Sequence, residues 1–384
     1  MRTLKWSAFL RHAVVGAAVA SLFWASAAQA DVTTENGASI LVFPKVRVAD
    51  GYNTVIQITN ISNDLVFARC FYVNAQLQNP NIPEHPILNP PLWLETDFNI
   101  RLTRQQPTQW EVSRGRGVNP FDVCSSGSSP TCLEVPPGSG NFVDLAGLGI
   151  DPGAIPPVPS DFIGELKCVE VDASGTPIGG NHLKGEATII SPNGFDVAKY
   201  NAVGIRATGM AGAAGNDLWL NNRTGESSGM YDACPEVTII NHFADGAENP
   251  ILGEGSEIVS ELTVVPCSQD FENQIPTTVT LQFRIYNEFE SVFSASTSVT
   301  CWKEVRLGDI ANVFTAQVLG TTVAQTFMTP ADIGDGGVIA VLEETHLDGF
   351  ENSQTAAINL HTEGDRFFGP TGEDFDRILL SGLF

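Results

Sequence analysis

Basic residues are scarce in this 384-residue chain: 20 Lys and Arg stand against 44 Asp and Glu, a formal net charge of −24. A field of that sign repels nucleic acid and anionic lipid, so neither is an expected partner; it favours cations and basic partners instead. Helical periodicity is also missing. ANVFTAQVL (311–319) is the one run ambiguous between helix and strand. Past the first thirty residues no apolar run approaches the ~20 needed to cross a bilayer, which excludes a transmembrane segment in the mature chain. No Cys-x-x-Cys occurs, so zinc and thioredoxin-like chemistry have no support. None of His85, His182, His242, His346 and His361 stands in a His-Glu-x-x-His pair. Gly225-Glu226-Ser227-Ser228-Gly229 has the spelling of a nucleophile elbow but not the flanking strand and helix it needs. Catalytic residues are therefore not assigned, and an enzyme is the less favoured reading.

What is present begins with a leader. Arg2, Lys5 and Arg11 precede an apolar, Ala-rich run from Ala13 to Ala27, and Ala28-Gln29-Ala30 supplies small residues for cleavage. Residues 1–30 are expected to be a signal peptide, with export to the periplasm, cell surface or medium. The leader holds three of the 20 basic residues, leaving 17 against 44 acidic ones and a mature charge of −27. Seven cysteines, all beyond the leader, fit an oxidising compartment. Cys124 with Cys132, Cys70 with Cys168, and Cys267 with Cys301 are the candidate disulfides, leaving Cys234 over.

The mature part reads as short strands separated by turns. Asn53 to Ala75 (NTVIQITNISNDLVFARCFYVNA) is the clearest pair, expected as a hairpin through Asn60, Ser62, Asn63 and Asp64. Thr54, Ile56 and Ile58 share one face of its first run; Val66, Ala68, Cys70 and Tyr72 share one face of its second. Segments 76–96 and 115–160 are long loops rich in Pro, Gly, Asn or Ser. A Gly-rich stretch at 208–232 is expected to be a linker, because the order then restarts: EVTIINHFADGAEN echoes SILVFPKVRVADGYN. The expectation is an all-β chain of two tandem β-sandwich domains, Greek-key or immunoglobulin-like, at 31–207 and 233–384, with a single large barrel as runner-up. A membrane barrel is not expected, although the chain ends in Phe384, since DRILLSGL lacks sustained alternation.

Two groups of residues are candidate sites. Arg101, Arg104, Arg114 and Arg116 cluster around Trp110, with Trp93 in the preceding loop; such a patch recognises a carboxylate, a sugar face or an acidic partner, where it is not simply covering a sheet face. The turns ADGYN, ADGAEN and LDGFEN place Asp50, Asp245, Glu248, Asp348 and Glu351 at strand ends, as hard oxygen donors for calcium or as plain hairpin turns. Calcium is the one cofactor this pattern suggests. Glu344 and His346 would share one strand face.

At NTVIQITN, CFYVNA, FIGELKCVEVD and LQFRIYNEFESVFSASTSVTCW the chain resembles a group of secreted bacterial proteins without an assigned activity. The resemblance implies export and a two-part layout and transfers no site. The leading expectation is a non-enzymatic exported surface or extracellular protein working through β-sandwich surfaces in adhesion, assembly or ligand capture. A protein or glycan partner and self-association both fit it. The alternative is a secreted carbohydrate-binding module or hydrolase using the first-domain loops, with Trp93 and Trp110 at the site.

Overall fold

The computed structural model describes residues 32–82, 85, 88–116, 132–134, 142–144, 153–208, 216–220, 230–331, 336–349, 353–365 and 377–381. The leader, Cys124 and its expected bond to Cys132, the Gly225–Gly229 motif, Glu351 and Phe384 lie outside them. Among the described residues no helix is long and apolar enough to cross a membrane.

The all-β expectation holds, with 58% strand and 5% helix, but the two tandem sandwiches do not. The strands form small sheets in a five-bladed, propeller-like arrangement. A six-stranded sheet runs in the order Val32–Thr33, Val203–Ile205, Ile40–Arg47, Ile163–Val171, Val66–Asn74, Leu94–Leu102. A four-stranded sheet orders Val197–Asn201, Leu183–Ile190, Asn53–Asn60, Pro107–Glu111. A three-stranded sheet joins Asp217–Trp219, Arg377–Leu379 and Gln269–Asp270. A five-stranded sheet orders Val292–Thr300, Thr278–Asn287, Val323–Pro330, Pro235–Phe243, His361–Asp365, and a last four-stranded one Lys303–Arg306, Glu257–Pro266, Val338–Leu347, Ser353–Asn359. Cys132–Glu134 and Phe142–Asp144 pair as a separate ribbon.

The misreading has a physical origin. A period of two identifies a strand and its buried face but carries no information about its partner. Asn53–Asn60 and Val66–Asn74 are both strands, and Ile56, Ile58, Ala68, Cys70 and Tyr72 are buried on the expected faces. They are not a hairpin. The first pairs with Leu183–Ile190 and Pro107–Glu111, the second with Leu94–Leu102 and Ile163–Val171. Between them Asn60 is fully buried, and its Nδ2 donates to the carbonyls of Asp64 (2.7 Å) and Thr103 (3.0 Å), holding an arch that carries the chain from one sheet to another.

The expected boundary is crossed in the same way. One buried cluster contains Val42, Phe71, Leu218, Phe271, Ile339 and Ile378, so side chains from both expected domains and from the 208–232 stretch share one core. Within that stretch Asp217–Trp219 is a strand pairing with Arg377–Leu379, and Leu218 and Leu220 are fully buried. Full burial of a side chain of this size contributes about 1.5–3 kcal/mol. The ambiguous run 311–319 forms two turns, Asn312–Phe314 and Ala316–Leu319, that bury Phe314 and Leu319.

Cys70 and Cys168 lie opposite each other on neighbouring strands and are joined, as expected. The second bond differs from the expected one: Cys267 is joined to Cys234, not to Cys301. Cys234, expected to be left over, immediately precedes strand Pro235–Phe243; Cys234, Cys267 and Cys301 are all buried in one cluster, and Cys301 is the one not in a disulfide. The Cys70–Cys168 bond closes a separation of 98 residues. In the chain-entropy picture a loop of that order stabilises by about 4.7 kcal/mol. A Cys70→Ala, Cys168→Ala double variant should therefore show a lower urea midpoint, with a steeper slope because its unfolded chain is less compact, and an unchanged midpoint would contradict this assignment.

Candidate functional site

The arginine and tryptophan patch does not assemble. Trp110 is 3% exposed; its Nε1–H donates to Tyr72 Oη (2.5 Å) and its ring meets Phe98 edge-on. Trp93, 6% exposed, packs on Phe271 at 5.3 Å. Neither ring is a platform for a sugar face. Arg101 lies over Phe67 at 5.9 Å, Arg114 pairs with Glu111 (3.2 Å), Arg116 Nη1 donates to Thr108 Oγ1 (2.8 Å), and Arg104 is exposed in a turn. The cations snorkel over sheet faces and strand ends.

Two of the turn carboxylates, Asp50 and Asp245, are already paired with arginines. Asp50 pairs with Arg47 (2.7 Å). Asp245 is buried, and Arg306 Nε reaches both of its oxygens, at 2.8 and 2.6 Å. A guanidinium thus stands where a calcium ion would have to bind. Glu248 is exposed and Asp348 half-buried.

The largest charged constellation was not legible in the sequence. Strand Ile40–Arg47 carries an irregularity between Phe43 and Val46, which places both of these in one core cluster and turns Lys45 away from it. Pro44 is tolerated at that point because a bulge needs no ladder N–H there; its carbonyl instead accepts Trp302 Nε1–H (2.7 Å). Lys45 is 1% exposed and its ammonium contacts Glu304, Glu343 and, at 3.0 Å, Glu261. Tyr200 braces the backbone: its Oη accepts Lys45 N–H and donates to the Lys45 carbonyl. Burial is the largest effect on Lys45 and lowers its pKa, yet the three carboxylates together outweigh it and hold the ammonium well above its ordinary value. Glu304 is pushed up to about 7, by burial first and by Glu261, against the pull of Lys45. The three carboxylates lie within 4.8 Å of one another, as metal ligands would, but the ammonium is their counter-ion. This cluster joins strand Ile40–Arg47 to Glu257–Pro266, Lys303–Arg306 and Val338–Leu347 and acts as an electrostatic clasp.

A cavity of about 530 Å³ opens at the end of the five-stranded sheet. Two strands finish there, at Phe243 and Asn287, and one begins, at Val323; His242 stands opposite Ala324, and Tyr286 opposite Gln325. Alternation sends Ile240 and His242 into the core and leaves Asn241 outside. His242 Nδ1 faces the Phe243 carbonyl (2.8 Å) and so carries the proton, while Nε2 accepts from Thr326 Oγ1 (2.9 Å). Burial lowers its pKa, opposed by the Phe243 carbonyl and Asp245, and the ring is neutral.

Glu344 enters this cavity from a different sheet, on strand Val338–Leu347. It is 5% exposed. Its Oε1 accepts the Phe243 N–H (2.8 Å), and no donor among the described residues is bonded to Oε2. Burial raises its pKa, and the Phe243 N–H opposes that shift. Phe243, Tyr286 and Glu288 complete the charged and aromatic lining, which among the described residues contains no Lys or Arg. His346, expected on the same strand face, does not join: its Nδ1 meets Asn249 Nδ2 (2.6 Å) and its ring stands edge-on to Phe243. Sequence pattern placed Glu344 on a strand but gave no sign of its half-used carboxylate. The strand ends that frame it are brought together only by sheet order.

No protein-family model and no curated protein matches the chain.

Proposed function

We propose that this is an exported, non-enzymatic protein that captures a small ligand in the cavity at the end of the five-stranded sheet. One observation carries the reading: Glu344 is buried, lines the cavity, and uses only one of its two oxygens in a hydrogen bond among the described residues. The other oxygen, Oε2, has no partner among the described residues and is open to the water of the cavity, which a ligand's donor can replace. The cavity volume falls within the range of about 300–1,000 Å³ common to small-molecule sites, and its walls combine apolar and aromatic surface with a few convergent polar groups. Export rests on the leader and accords with the two disulfides, which persist in oxidising compartments.

Thermal melting against a panel of small amines, carboxylates and neutral polyols tests this. At least one class should raise the melting temperature of the wild type, and Val323→Trp, a substitution at an exposed lining position, should abolish the shift. A shift of equal size in Val323→Trp would place the ligand elsewhere.

A further inference from the structure

Resting on that reading, we propose that the captured ligand is an organic monocation, an ammonium group on a short apolar body, with Glu344 as its counter-ion. Four observations converge on this class. The second oxygen of Glu344 is open to the cavity and free to accept from an entering donor, and a largely enclosed carboxylate gains most from one that also carries positive charge. Among the described residues nothing in the lining supplies that charge: Glu288 adds a second carboxylate at the rim, no Lys or Arg is present, and both ring nitrogens of His242 are engaged. Phe243 and Tyr286 bring aromatic rings to the same space, and rings of this kind attract a cation. The mature chain, at 17 basic against 44 acidic residues or −27, repels anions from the cavity mouth.

A metal ion does not fit as well. Calcium takes six to eight oxygen ligands at about 2.3–2.6 Å. Among the described residues the only carboxylates in the lining are Glu288 and Glu344, and the Asn287 side chain is already spent, its Nδ2 on the Leu319 carbonyl (2.8 Å) and its Oδ1 on the N–H groups of Phe289 and Ser291. A cavity of about 530 Å³ is also far larger than one ion requires. An ammonium with a hydrocarbon tail uses both the carboxylate and the apolar wall formed by Val323 and Ala324.

Such a group can come from a free amine or from a lysine side chain of another protein. Calorimetric titration of the full mature chain with n-butylammonium, Nα-acetyl-lysine methylamide, n-butanol and butyrate separates the cases. Both cations should bind and the alcohol and the carboxylate should not; tighter binding of the lysine derivative would identify a peptide source, and tighter binding of butylammonium a free amine. Glu344→Gln keeps an oxygen for the Phe243 N–H, so it should fold with little change in melting temperature while weakening cation binding about tenfold or more. If butanol or butyrate binds, and Val323→Trp abolishes that binding, the cavity captures a ligand but the cation assignment is wrong. If no probe binds at about 10 mM, where a ligand with a Kd of about 1 mM would be largely bound, both readings fall.

Discussion

A Lys45→Met variant is expected to lose about 3–5 kcal/mol of stability at pH 7, because it leaves three carboxylates in a closed space without their cation. Glu304 and Glu343 are almost as enclosed as the lysine itself, and Arg47, at 4.0 Å from Glu304, is too distant to replace it. Methionine fills a similar volume, so the loss is electrostatic rather than a cavity effect. Urea unfolding measures it. Adding Glu304→Gln and Glu343→Gln to Lys45→Met should return much of the lost stability, since a fully uncharged set no longer needs a counter-ion. A Lys45→Met protein as stable as the wild type would show that the clasp contributes nothing.

The second large effect is a decline in stability as pH rises toward neutrality. Glu304 has a folded-state pKa of about 7, above its unfolded value of 4.5. The native state therefore holds an extra proton between those values, and the corresponding stability is complete below about pH 4.5 and lost as pH rises through 7. By linkage the contribution is on the order of 3 kcal/mol. Glu261 acts in the opposite sense: burial, the largest single effect, raises its pKa, but Lys45, the hydrogen bond with Glu304 and Arg47 together outweigh it and hold it below 4.5, so its contribution is present above 4.5 and lost as pH falls through its folded value. Burial raises Glu170 and Glu344 too, and their sign is that of Glu304. Comparison with Glu304→Gln isolates the one group. Melting temperature from pH 4.5 to 8 should fall more steeply in the wild type than in Glu304→Gln, and parallel curves would remove Glu304 from the account.

Both effects depend on contacts that join distant parts of the chain. Lys45 is 216 residues from Glu261 and 298 from Glu343, and Glu344 is 101 residues from the Phe243 N–H it accepts. Nothing in the local pattern of VFPKVR marks its lysine as buried. A lysine next to a proline in a strand reads as an exposed edge residue, and only the bulge at Pro44 together with the facing sheet reverses that.

The acid-rich tally, the all-β character and the strands with their buried faces were legible from residue order alone, because side-chain alternation is a property of the extended backbone and needs no partner. The Cys70–Cys168 bond was legible for the same reason, both cysteines being placed on strands. Strand partnership, the propeller-like arrangement of sheets, the choice of Cys234 over Cys301, the clasp around Lys45 and the half-used carboxylate of Glu344 were decided by tertiary structure. Each is set by which faces meet across the fold, and the meeting of faces is fixed by packing and burial summed over the whole chain rather than by any one segment.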